Sequence, residues 1–89
     1  MDIIKCASAG TMESSDAYVE IQPGENGINI QLESVVQKQF GEKIRMVVKE
    51  VLEENSVASA NVHVVDRGAL ECVIRARVET AVLRGKGDN

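Results

Sequence analysis

The chain has 89 residues, 44% of them hydrophobic, with one Tyr, one Phe and no Trp, so it is read as one small domain with a thin aliphatic core, in the size range where only about 60–65% of the unfolded surface is buried. Ten basic against fourteen acidic residues give a net charge of -4, which leaves no excess of cations to release phosphate counterions and argues against nucleic acid as a partner. No apolar run approaches the roughly 20 residues that span a bilayer, and the N-terminus shows neither the basic region nor the long apolar run of a signal peptide, so the expectation is a cytoplasmic chain with no membrane partner.

In chain order, residues 3–9 form a weaker strand pattern, followed by the polar segment 10–16. Ala17, Val19 and Ile21 alternate with Tyr18, Glu20 and Gln22, and Ile28, Ile30 and Leu32 alternate with Asn29, Gln31 and Glu33, the period of half-buried strands. The turn formers Pro23, Gly24, Glu25, Asn26 and Gly27 lie between the two runs, so these strands are expected to pair as a hairpin.

The period then changes. Val36, Phe40, Ile44, Val47, Val48, Val51 and Leu52 recur at spacings of three and four, the inner stripe of a helix over about residues 35–54, with Ser34 and Gln37 fitting a capping box. The polar face of this helix carries Lys38, Glu42, Lys43, Arg45 and Lys49. Ala60, Val62 and Val64 alternate with Asn61, His63 and Val65 as a fourth strand. Asp66 then caps a second helix whose stripe is Leu70, Val73, Ile74, Val78, Ala81 and Val82, ending near Gly85. The expected fold is therefore α+β, a two-layer sandwich in which a small, mostly antiparallel sheet is covered by two amphipathic helices. The elements run strand, strand, strand, helix, strand, helix, with a single domain over residues 1–84 and a flexible tail over 85–89.

Enzymatic readings find little support. The single histidine, His63, sits on the polar face of a strand with no Ser, Cys or Asp positioned by sequence as a relay. The glycines mark turns and the chain end, not a phosphate loop. Cys6 and Cys72 stand far apart with no Cys-x-x-Cys or Cys/His cluster; a disulfide or metal pair is the alternative to two small reduced side chains, buried or half-buried, which is the expectation, and no metal site is expected. Glu50, Glu53 and Glu54 crowd a helix C-terminus, an unfavourable place for negative charge, and are read as solvated. The segment 10–16 holds Ser14 and Ser15 flanked by Glu13 and Asp16. A loop on a rigid scaffold presents a side chain well, but nothing nearby in sequence activates a serine. From composition alone the segment is either an ordinary polar loop or a place where another enzyme modifies Ser14 or Ser15.

Gly10-Thr11-Met12-Glu13-Ser14-Ser15-Asp16 resembles the Gly-Thr-Leu-Glu-Ser-Ser/Gly-Asp motif of the acyl carrier, or gamma, subunit of citrate lyase. Two further stretches, Val36 to Arg45 and Asp66 to Arg77, are similar to that family's Val-Glu-Lys-Gln-Phe-Gly-Asp-x-Ile-Arg and Asp-Lys-Gly-Ala-Leu-Asp-Cys-x-Ile-Arg-Ala-Arg. Three motifs in one order cover nearly the whole chain.

The resemblance implies a non-catalytic carrier whose Ser14 holds a phosphoribosyl-dephospho-coenzyme A group through a phosphodiester. Ser15 occupies a place where the family also accepts Gly. Its partners would be the citrate lyase alpha and beta subunits and a holo-carrier-forming transferase. Acetyl thioester would exchange with citrate on the alpha subunit, and the beta subunit would cleave citryl thioester to oxaloacetate. Carriers of the usual four-helix type place their serine in an Asp-Ser-Leu motif at a helix N-terminus, and this chain has neither feature. The alternatives are the carrier subunit of malonate decarboxylase and an unmodified acidic interaction module. The helix polar faces, including Arg75 and Arg77, are either docking surfaces or solvated, with the second expected.

Overall fold

A computed structural model describes residues 2–35 and 37–87. Its elements are β1 (Ala7–Gly10), β2 (Ala17–Pro23), β3 (Ile28–Ser34), α1 (Gln37–Glu54), β4 (Ala60–Asp66) and α2 (Glu71–Gly85). The fold class is the expected α+β, and two of the three strand pairings are antiparallel: β1 with β2, and β2 with β4.

The expected hairpin does not form. The strand order is β1-β2-β4-β3, with β4 inserted between β2 and β3 and parallel to β3. Alternation fixes which face of a strand is buried but says nothing about its neighbour. The residues between β2 and β3 have a different task from closing a tight turn, because they carry the chain across the start of β4. Gly24 passes so close to it that a Cβ would sit 2.9–3.0 Å from Ala60 backbone atoms. The Gly27 carbonyl accepts from Ala60 N at 3.1 Å, and Gly27 N donates to Ser59 Oγ at 3.2 Å. The parallel β3/β4 pair needs a long crossover, and α1 supplies it.

Both helices cover one face of the sheet, α1 against β3 and α2 against β1 and β2, and they also pack on each other. The strands turn Ala9, Ala17, Val19, Ile21, Leu32, Ala60, Val62 and Val64 into this layer, where they meet Ile44, Val47, Val48, Val51 and Leu52 of α1 and Ile74, Val78, Ala81 and Val82 of α2. The interior of each stripe is as its spacing predicts except at Val73, which is only half-buried, and the ends differ as well. Phe40 is 51% exposed and Leu70 is 72% exposed, because the helical spacing continues past the surface available to bury it. Val36 lies outside the described residues.

Capping differs too. Because α1 begins at Gln37, Ser34 stands too far upstream to be its N-cap; it belongs to β3 and its Oγ donates to Asp66 Oδ2 at 2.8 Å. Asp66 ends β4, and the N-cap of α2 is Leu70, whose side chain has no hydrogen-bonding group to offer. The Asp66 carboxylate, 1% exposed, instead accepts from Gly68 N at 3.1 Å and Ala69 N at 2.8 Å, so it holds the turn before the helix rather than the helix itself. At the other end α2 runs through Gly85, the residue at which the tail was expected to begin. Gly85 is buried, its carbonyl accepts from Ile4 N and Lys5 N, and a Cβ there would lie 3.1 Å from Ile3 and 3.2 Å from Ile21.

Candidate functional site

The segment from Gly10 to Asp16 joins β1 to β2, and its shape follows from a few residues. Gly10 has φ +90°, and a Cβ there would fall 1.9 Å from the Ala17 carbonyl oxygen, so only glycine permits the chain to leave β1 this way. Thr11 Oγ1 donates to Asp16 Oδ2 at 2.6 Å and accepts from Glu13 N at 3.2 Å, while Asp16 N donates to Glu13 O at 3.1 Å. The loop is therefore closed on itself across five residues. Ser15 adopts φ +66°, a left-handed conformation that glycine takes without strain, which is the physical reason a Gly is acceptable at that place in the resembling motif.

Two tethers fix the loop to the scaffold. Ser15 N donates to Arg67 O at 2.8 Å and Arg67 N donates to Asp16 O at 2.9 Å, extending the β2/β4 ladder beyond the Ala17–Asp66 pair. From α2, Arg77 grips the Asp16 carboxylate with both arms of its fork, Nε to Oδ1 at 3.0 Å and Nη2 to Oδ2 at 3.1 Å, the bidentate geometry in which charge-assisted hydrogen bonds are strongest. Asp16 is only 13% exposed. Arg77 first, then the Thr11 hydroxyl and the Ala17 N–H at 2.7 Å, hold its carboxyl far below the ordinary value of 3.8.

Ser14 stands immediately before these tethers, one residue ahead of Ser15, and is exposed. Among the described residues neither serine hydroxyl makes a hydrogen bond, and no histidine, lysine or carboxylate pairs with either. Neither serine therefore has, among the described residues, the adjacent base that a nucleophilic serine uses.

The other candidates resolve as follows. His63, on the open face of the sheet, is half-buried between two carboxylates, with Nε2 2.5 Å from Glu33 Oε2 and Nδ1 3.9 Å from Glu20 Oε1. Cys6 and Cys72 are free as expected but exposed, not buried: Cys6 precedes β1, and Cys72 lies in the first turn of α2. Among the described residues no group of three or more His, Cys, Asp or Glu could hold a metal ion. Neither helix arginine is simply solvated: Arg75 pairs with Glu50 and Glu71, and Arg77 belongs to the loop. Thr11 and Arg67 are the loop-bracing residues that the sequence reading did not single out, and the same reading places Arg77 only on a helix face, not as a partner of Asp16. The available signal was charge complementarity between Asp16 and Arg77, which occur in separate segments of the resemblance.

The chain matches, over residues 4–85, the acyl carrier family described as malonate decarboxylase delta subunit (MdcD). It is 54% identical over 85 residues to the citrate lyase acyl carrier protein of Escherichia fergusonii, covering 94% of this chain and 88% of that one. With the citrate lyase acyl carrier protein of Latilactobacillus sakei it shares 45% identity over 87 residues, covering 98% and 86%. The chain belongs to the citrate lyase acyl carrier protein family. Its fold is also that of a chain in the crystal structure of a Pseudomonas malonate decarboxylase hetero-tetramer in complex with malonate, with a TM-score of 0.75, 23% identity and coverage of 86% and 79%. In this member of the citrate lyase acyl carrier protein family the loop from Gly10 to Asp16 is braced by Arg67 and Arg77 at the sheet end where β3 and β4 finish.

Proposed function

We propose that this chain is the acyl carrier subunit of a cytoplasmic citrate lyase and that Ser14 Oγ carries phosphoribosyl-dephospho-coenzyme A through a phosphodiester. The observation that carries the reading is an exposed serine hydroxyl in a loop closed by Thr11 on Asp16 and fixed to the scaffold directly after the serine, by Ser15 and Asp16 to Arg67 and by Asp16 to Arg77. The residues fit the group: a free hydroxyl is the atom a phosphodiester needs, and Ser15, strained and with its N–H engaged, is the poorer choice.

The group supplies a thiol on a long arm, able to hold acyl groups as thioesters. This chain holds the arm's root still. A fixed root confines the thiol to a small volume and raises its effective concentration at every site it can reach. Chemistry then belongs to the alpha and beta subunits, between which acetyl and citryl groups pass, and attachment belongs to a holo-carrier-forming transferase. The loop's lack of a base among the described residues is consistent with this division, because a base beside the loaded Ser14 could activate water against the phosphodiester.

A second reading, the carrier subunit of malonate decarboxylase, is favoured by the description of the matching family and by the fold neighbour. The 45–54% identity to citrate lyase carriers over nearly the full chain weighs against it. Intact and peptide mass spectrometry of the protein from its own cells tests both the group and its site. The expected result is an adduct on the Ser14 peptide, absent in Ser14→Ala, with citrate lyase alpha and beta subunits co-purifying. A bare-chain mass from cells fermenting citrate would overturn the reading in favour of an unmodified interaction module.

A further inference from the structure

Ser14 stands in acidic surroundings. Glu13 precedes it and Asp16 follows closely, in a chain of net charge -4. Arg77 neutralises Asp16, but among the described residues Glu13 has no ion pair. A phosphodiester placed on Ser14 adds a further negative charge here, and the phosphates along the arm add more. Like charges a few ångströms apart repel, and near a protein surface the energy is not negligible. A cation within reach would offset part of this repulsion.

The arginines divide sharply. Arg45 donates to Ile30 O, Arg75 to Glu50 and Glu71, Arg77 to Asp16 and Arg84 to Ser8 O. Arg67 alone, among the described residues, has a guanidinium with no protein acceptor, and it is exposed. Its backbone is also the part of β4's extension that is bonded to the serine loop on both sides, to Ser15 N and to Asp16 O. Asp66 before it is locked by three hydrogen bonds, and Gly68 after it, at φ +91°, has open space around it. The main chain at Arg67 is thus held one residue's step from Ser14, while its side chain is left free.

We propose that Arg67 is a positioning residue for the prosthetic group, its guanidinium gripping the phosphate ester formed on Ser14 Oγ. This rests on the reading of Ser14 as the attachment site. Arginine suits the task because its planar fork matches two phosphate oxygens at once. Arg67 draws the root of the arm toward the β4 end of the loop and away from Glu13, narrowing the directions in which the arm leaves the surface.

The test uses holo-protein from its own cells, wild type beside Arg67→Gln, Arg67→Lys and Lys49→Gln. Lys49 carries the same charge but sits on the thirteenth residue of α1, about 18 Å along the helix from its start at a 1.5 Å rise. The readout is the phosphorus NMR resonance of the serine phosphodiester over a salt series, with no transferase or lyase subunit present. The wild-type resonance is expected to move with salt. In R67Q it is expected to sit shifted and salt-insensitive, R67K should lie between, and K49Q should match wild type. In a separate loading assay with the purified transferase and the phosphoanhydride-activated prosthetic group, R67Q should load about three- to fivefold more slowly at low salt, the size that exposed ion pairs support, with the gap closing as salt rises. A wild-type chain loaded on Ser14 together with an R67Q resonance identical to it at all salt concentrations overturns the role of Arg67 and leaves the carrier reading intact. A wild-type chain with no adduct overturns both.

Discussion

Asp16 connects three levels of this structure on one carboxylate: the loop through Thr11, its own strand through Ala17 N–H, and α2 through Arg77. Because these donors depress its pKa on folding, the unfolded chain binds the proton first as pH falls. Its contribution to stability is therefore complete above the unfolded value of 3.8 and is lost as pH drops below that toward the folded value. Urea midpoints measured from neutral to strongly acidic pH should show Asp16→Asn less stable than wild type at pH 7, where an amide nitrogen faces the Arg77 fork. The gap should narrow as the wild type protonates, with proton uptake on unfolding reduced by at most about one proton in the variant. Acid limbs that run parallel would mean that the Arg77 contact does not form in solution. Of this site, the sequence shows Ser14 only through a family motif. Asp16 and Arg77 are 61 positions apart, and no local pattern joins residues at that separation.

At the scale of the elements, periodicity is informative where a partner surface exists and silent where it stops. Leu52 and Leu70 both fall on predicted stripes, yet Leu52 is fully buried and Leu70 is 72% exposed. Truncation separates them: Leu52→Ala is expected to cost roughly 2–5 kcal/mol, as buried leucines do when a cavity remains, and Leu70→Ala no more than about 0.5 kcal/mol. Equal losses in urea denaturation would show that the groove between α1 and α2 is closed in solution. Phe40, Ile44, Val47, Ala69, Leu70 and Ile74 line that groove of about 270 Å³, just under the roughly 300–1,000 Å³ of small-molecule pockets. The hairpin expectation failed for a related reason. The turn formers at 23–27 do reverse the chain, but reversal does not require adjacency. The strand-helix-strand order from β3 through α1 to β4 already contained the clue, since a helix between strands favours parallel pairing. The alternation in β4, Ala60 to Val65, does not distinguish a central strand from an edge one.

Over the whole molecule, the strand order places the longest continuous ladders at the centre and the serine loop at the end of them. β4 is paired along its full length with β2 on one side and β3 on the other, seven residues each way, whereas β1 has a four-residue ladder on one side only. Amide exchange should follow this plan. Val62 and Val64 amides are expected to exchange only through global unfolding, and β1 through smaller openings. The loop should split within itself. Ser15 and Asp16 amides, bonded to Arg67 O and Glu13 O, should be protected, while Ser14, whose N–H has no acceptor among the described residues, should exchange almost as fast as an unstructured peptide. That contrast between adjacent amides is what a presentation loop requires: a bonded root beside an open residue. It also gives the carrier reading a physical consequence that the bare chain alone can test. If Ser14 is protected as strongly as Ser15, the serine is folded against the body and the arm would have to leave from elsewhere. If Ser15 is as fast as Ser14, the loop is not braced, and the thiol's effective concentration at partner sites would be set by loop motion as well as by the length of the arm.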